Sequence, residues 1–342
     1  MKVDWEFAGQ VARLASADPQ GVIKPSGLAE QGEAAVAHVL AATEMEPLEP
    51  LPEPEWVTRS EWIEANLGTM RGMLEPIIER TPDPKGPSQF VSTLGMAAVA
   101  AEIGGLLGMM SRRVLGQLEL DLLDPSRPPR LLMVAPNLEA AVPRMGVDHD
   151  SFITWVLLHE MTHAVQFTSV PWLRTELGDG VRSLLELADI KPDPRALLKV
   201  RPGDLRQMLG AVREGGLIGA VAGPEKRALM SRIQGTMGLV EGHAEWAMDA
   251  AGEAAIDDVG ALRSAMTTRR AGRAPLLKIL DRLLGFDMKL RQYEQGRVFC
   301  ETVANSRGIE GLHQAWSSAE LAPTAAELGD PGLWLARIPA AV

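Results

Sequence analysis

The chain of 342 residues is 46% hydrophobic, which is enough to bury a sizeable core. Its 34 Lys and Arg stand against 45 Asp and Glu, and the net charge of −11 repels a phosphate backbone, so no nucleic acid partner is expected. The single cysteine, Cys300, has no internal disulfide partner, which points to a cytoplasmic location and an inert buried thiol.

The opening Met1-Lys2-Val3-Asp4-Trp5-Glu6 lacks the basic start and apolar stretch of a secretory signal, and export by that route is not expected. One Tyr and six Phe accompany abundant Ala, Leu, Met, Glu and Arg, so propensity favours helix almost everywhere. The expected fold class is mainly α with a small β-sheet. Trp5–Ala15 and Leu28–Thr43 follow helical periodicity. Residues 44–55 hold Pro47, Pro50, Pro52 and Pro54, a composition that resists helix, and a boundary is expected there. It separates an N-terminal helical segment with its Pro-rich linker, 1–54, from a helical domain over 55–342.

Ser60 can cap a helix running to Met73, along which Trp62, Ile63, Leu67 and Met70 recur at helical spacing, and residues 81–88 read as loop. Leu94–Met110 is apolar except for Glu102 and mimics a membrane span. It is slightly short, interrupted by a carboxylate and rich in Gly and Ala, as suits a helix buried among helices; no membrane span is expected. Arg130–Ala135, framed by Pro128-Pro129 and Pro136-Asn137, is the clearest strand. Further helices are expected over Asp179–Ala188, Pro202–Arg213, Pro224–Ala250 and Pro275–Leu284.

The chemistry concentrates in His159-Glu160-Met161-Thr162-His163, on a helix expected over 150–168 with Asp150 or Ser151 as its start signal. Imidazoles at i and i+4 share one helical face, where both can reach a single Zn²⁺. Glu160 then flanks the metal's open position as general base. The uncharged flanks Val156-Leu157-Leu158 and Ala164-Val165 suit a buried catalytic helix. A bare pattern match also occurs on ordinary helices, where both histidines would be packing residues.

A catalytic zinc needs a third protein ligand, and Val240-Glu241-Gly242-His243-Ala244-Glu245, on the helix expected near 225–250, is the richest candidate segment. Glu241 and Glu245 share a face, so one can bind metal while the other accepts a hydrogen bond from a ligating imidazole. His243 points about 200° away from Glu241 around the helix, which favours Glu241, though a triple-histidine site stays open. The metzincin spacing is absent, with Gln166 and Ser169 where Gly and His would stand.

Tyr293, the only tyrosine, is a candidate oxyanion donor, against the ordinary role of a packed ring. Arg297 could bind a substrate carboxylate, against a surface ion pair. His149 reads as part of a capping turn, His38 and His313 as ordinary residues, and the arginines at 263, 269, 270 and 273 as a solvated basic patch.

Beyond the zinc helix, several segments resemble the signatures of one family, the zincin-like metallopeptidases found mainly in actinobacteria and relatives and long classed as a domain of unknown function. They are Val3-Asp4-Trp5, Glu61-Trp62-Ile63-Glu64-Ala65-Asn66-Leu67, Val114-Leu115-Gly116-Gln117, Val134-Ala135-Pro136-Asn137, Trp155-Val156-Leu157-Leu158-His159-Glu160, Val240-Glu241-Gly242-His243-Ala244-Glu245 and Gln292-Tyr293-Glu294-Gln295-Gly296-Arg297. The resemblance spans nearly the whole chain. It implies a mostly helical α+β zincin-like fold, His159 and His163 as metal ligands, Glu160 as base and Glu241 as third ligand. Some members carry a label linking them to deazaflavin coenzyme biosynthesis, a genomic association and not an activity. The expected function is a zinc-dependent hydrolase, a metallopeptidase or amidohydrolase acting on a peptide or amide. The rival is an inactive scaffold in which a metal ties two helices together.

Overall fold

The computed structural model describes residues 3–19, 21–22, 24–80, 87–124, 126–187, 224–271 and 290–340. In chain order the described elements are α1 (Trp5–Ser16), α2 (Leu28–Thr43), β1 (Pro54–Val57), α3 (Arg59–Arg80), α4 (Pro87–Ser111), β2 (Gly116–Glu119), β3 (Arg130–Val134) and α5 (Ala135–Met145). They continue with α6 (His149–Ser169), α7 (Pro171–Leu187), α8 (Pro224–Ala255), α9 (Val259–Ala271), α10 (Leu290–Trp316), α11 (Ala325–Gly329) and α12 (Pro331–Arg337). The helices expected over Pro202–Arg213 and Pro275–Leu284 lie outside the described residues, as does Arg273 of the basic patch.

Helix dominates, and the three strands form one sheet in the order β1-β3-β2, with β1 parallel and β2 antiparallel to β3. β3 is central because every residue of Leu131-Leu132-Met133-Val134 is fully buried, so the strand reads as a continuous apolar run instead of an alternation. Leu131 and Met133 join the main core with residues of α2, α5, α6, α8 and α10. Leu132 and Val134 face the opposite way, onto Ala12 of α1, Trp62 and Ile63 of α3, and Leu107 of α4. The sheet is therefore a thin layer between two sets of helices.

β1 and β2 were not legible as strands. Each has four residues, one starting at a proline and the other at a glycine, and pairing with β3 decides their conformation. α5 follows β3 directly: Pro136, which reads as a strand stop, stands in the first turn of a helix, where its missing N–H costs nothing. α6 is capped two or three residues before the expected signals, with Asp148 Oδ1 accepting from Ser151 N at 2.9 Å. His149 sits in this turn, between Asp150 and Glu139, each 2.9 Å away, and these carboxylates hold its pKa above the usual value.

The apolar stretch Leu94–Met110 lies within α4. Gly104 and Gly108 let α1 approach so closely that a Cβ on Gly104 would lie 2.3 Å from the Ala8 carbonyl oxygen. That contact buries one face of the stretch, while Val99 and Met109 stay exposed, and no helix among the described residues is long and apolar enough to cross a membrane. α2, from the N-terminal segment, packs against both α6 and α8.

Candidate metal centre

α6 is apolar around most of its circumference, burying Phe152, Trp155, Leu157, Leu158, Met161 and Val165 among others, which makes it the central helix of the main core. Two of its polar side chains, His159 and His163, emerge on one face toward α8. Their Nε2 atoms lie 3.2 Å apart, and Glu241 Oε2 of α8 lies 3.9 Å from each. All three ligand atoms fall within 4.8 Å of one another. Donors 2.0–2.2 Å from a tetrahedral zinc stand roughly 3.4 Å apart, so this donor set fits that ion. The three side chains are 22%, 11% and 25% exposed, which leaves one side of the cluster accessible.

Glu241 reaches α6 because α8 packs directly against it, and next to that carboxylate α8 also touches α10 backbone to backbone. A Cβ on Gly242 would lie 2.1 Å from the Gly296 carbonyl carbon, and one on Gly296 would lie 2.0 Å from the Gly238 oxygen. The glycines in Glu241-Gly242-His243 and Gln295-Gly296-Arg297 thus let the two helices approach one residue from that carboxylate.

Glu160 points to the sheet side of α6, where its Oε2 accepts a hydrogen bond from Leu118 N of β2 at 3.1 Å. Burial pushes its pKa up to about 7; Glu241 adds to the rise, while His163 and the Leu118 N–H oppose it. Gly116 supplies the room, since a Cβ there would lie 2.7 Å from Glu160 Cγ. A cleft of about 230 Å³ opens beside this carboxylate, lined by His159 and Glu160 together with Leu115, Gly116, Trp155 and Met266.

His243 is fully buried and turned away from the donor cluster, with Nδ1 3.0 Å from Gln166 Nε2. Burial, with His313 and His163 nearby, lowers its pKa to about 3, so it is a neutral core imidazole. Glu245 lies half-buried one turn beyond Glu241. Arg297 is paired with Glu294 and Glu301 of its own helix at 3.2 and 3.1 Å. Tyr293 falls in the first turn of α10, and its side chain lies outside the described residues, as do those of Arg269 and Arg270. His313 Nε2 donates to the Thr43 carbonyl oxygen at 2.8 Å, so Nε2 carries the ring hydrogen. Three participants escaped sequence reasoning. Gly116 was visible only inside a signature, and Leu118 acts through its backbone. Gln166, one turn after His163 on the same face, was the signal that could have been read.

Fold and donor set together define a helical protein in which a His-Glu-x-x-His helix and a carboxylate from a second helix converge. A model of the zincin-like metallopeptidase family matches residues 3–335, and the chain belongs to that family. The chain is also similar to a solved structure described as a candidate hydrolase with a novel fold from Chloroflexus aurantiacus. The two share 28% identity over 98% of each chain, with a TM-score of 0.73. No curated protein matches the chain. Family membership supports hydrolase activity and use of a metal.

Proposed function

We propose that the chain is a zinc-dependent hydrolase of peptide or amide bonds, with His159, His163 and Glu241 as metal ligands and Glu160 as general base. The observation that carries this reading is the convergence of three donors within 4.8 Å beside a buried carboxylate whose pKa is pushed up to about 7. Zinc, when bound, supplies a Lewis acid at the scissile carbonyl and acidifies water. Glu160 is held through Oε2 by Leu118, which leaves Oε1 to take the proton of the attacking water. As the carbon–oxygen bond forms and the carbon–nitrogen bond breaks, Glu160 returns that proton to the leaving nitrogen. Leu115, Trp155 and Met266 give the cleft an apolar wall. Glu245 is assigned as an acceptor for a ligating imidazole and Tyr293 as oxyanion donor, both on sequence position. Arg297, already paired twice, is given no part.

Turnover of a peptide library tests the reading. Wild-type protein should cleave, lose activity on chelation and regain it with added zinc, while Glu160→Gln should retain zinc and lose roughly 10²- to 10⁴-fold in kcat. Cleavage insensitive to chelation, or full activity in Glu160→Gln, would remove Glu160 and the metal from the mechanism. Zinc bound without turnover in wild type would favour the scaffold.

A further inference from the structure

Gln166 is fully buried on α6, one turn beyond His163. Its Nε2 lies 2.9 Å from the Val240 carbonyl oxygen and 3.0 Å from His243 Nδ1, and its Oε1 lies 2.9 Å from His163 Nδ1. A backbone carbonyl only accepts, so Val240 dictates which end of the amide is nitrogen. That choice propagates in both directions. With Oε1 facing it, His163 Nδ1 must carry the ring hydrogen. The lone pair then sits on Nε2, the atom 3.9 Å from Glu241 Oε2. With the amide donating to its Nδ1, His243 must carry its hydrogen on Nε2, and that N–H is buried with no hydrogen-bond partner. Burying an unpartnered N–H has a free-energy cost, and here it goes with a ring packed against Trp246 and Trp316 that keeps Nδ1 on the amide.

We propose that Gln166 is a positioning residue of the metal centre. It fixes His163 in the tautomer that presents Nε2 and ties that imidazole to the helix carrying Glu241, while His243 is the neutral acceptor that locks the amide. The inference rests on His163 and Glu241 being the ligands. No other side chain of similar size does both jobs. A carboxylate at this position keeps the acceptor for His163 but has no donor for Val240, and an aliphatic chain has neither.

The experiment uses the full chain and two readouts, the histidine tautomers of metal-free protein from two-bond proton–nitrogen spectra and zinc affinity by chelator competition. At a pH of about 8, above the ordinary histidine range, wild type should show His163 protonated on Nδ1 and His243 on Nε2. Gln166→Leu should release His163 into a mixture of tautomers and weaken zinc binding roughly 10- to 100-fold. Gln166→Glu, which keeps the acceptor, should restore the Nδ1–H tautomer and most of the affinity. Gln166→Met replaces Gln166→Leu if the latter does not fold. Two results overturn the proposal. One is a wild-type His163 that carries its hydrogen on Nε2. The other is an equal loss of affinity in the Glu and Leu variants with the tautomer unchanged, since that is what helix gluing alone produces. A wild type that binds no zinc would defeat the ligand assignment, and the tautomer spectra would still decide the part played by Gln166.

Discussion

Among the described residues, the pairs α1–α4 and α8–α10 both touch through glycines, and the two contacts do different work. Between α1 and α4, Gly104 and Gly108 admit Ala8, Ala12 and Ala15, closing a seam on the side of β3 away from α6. Between α8 and α10, Gly242 and Gly296 meet one residue from Glu241, so the closeness of that crossing bears on where the proposed ligand carboxylate stands. The packing chemistry is the same, with small residues letting backbones approach. Only the second contact converts a packing distance into site geometry.

The largest effects should come from closing that gap. Gly242→Ala and Gly296→Ala are each expected to destabilise the fold by about 1–3 kcal/mol, because the added methyl meets backbone that cannot give way. Both should also weaken zinc binding by more than about tenfold, since Glu241 must move with α8. Gly104→Ala should cost a similar amount of stability and leave zinc affinity unchanged. Denaturant unfolding with chelator competition measures both, and an equal loss of zinc in Gly104→Ala would break the comparison.

A smaller effect is expected on the sheet side of the site. Gly116→Ala should keep both fold and zinc while lowering kcat roughly 10- to 100-fold, because its methyl displaces Glu160. A kcat equal to wild type would show that Glu160 needs no such room.

Next comes acid stability. α11 packs against α8 and α10, and its Glu327 is bonded by Arg337 and by the Thr324 backbone and hydroxyl. Burial works to raise the pKa of Glu327, but those donors outweigh it and hold the carboxyl below its usual range. A depressed folded-state pKa gives stability that is present above the unfolded value, near 4.3, and lost as pH falls through the folded one. Glu327→Gln should therefore remove about 1 kcal/mol at neutral pH and flatten the acid limb of the stability curve. An unchanged acid limb would refute the assignment.

The smallest signal is chemical. Cys300, one turn after Gly296 on α10, is fully buried, and burial raises its thiol pKa far above the ordinary value. Wild type should resist alkylation until unfolded, and Gly296→Ala should react faster at matched global stability. Gly104→Ala, so matched, should not.

Much of the fold was legible where one helix face or one apolar run decides structure. α2 has the expected bounds, α1 extends one residue beyond them, and β3 ends one residue earlier than expected. Legibility failed where partners decide. β1 and β2 are strands because β3 lies between them, α3 runs on to Arg80 past its readable pattern, and Pro87 opens α4 inside the expected loop. The convergence of His159, His163 and Glu241 was readable in part: the i, i+4 spacing puts the two imidazoles on one face, whereas the choice of Glu241 over His243 rested on helical phase. The contributions of Leu118 and Gly116 were not, since each depends on contact between elements far apart in sequence; for Gln166 only the local pairing with His163 could be read, and its link to α8 could not.

The most direct test of the central claim is the zinc content of purified wild type beside His163→Ala, Glu241→Ala and His243→Ala. The account predicts one zinc per chain in wild type and in His243→Ala, and none in the other two at matched chelator concentration. Zinc retained in Glu241→Ala and lost in His243→Ala would contradict it, as would a wild type that stays metal-free after zinc is added back.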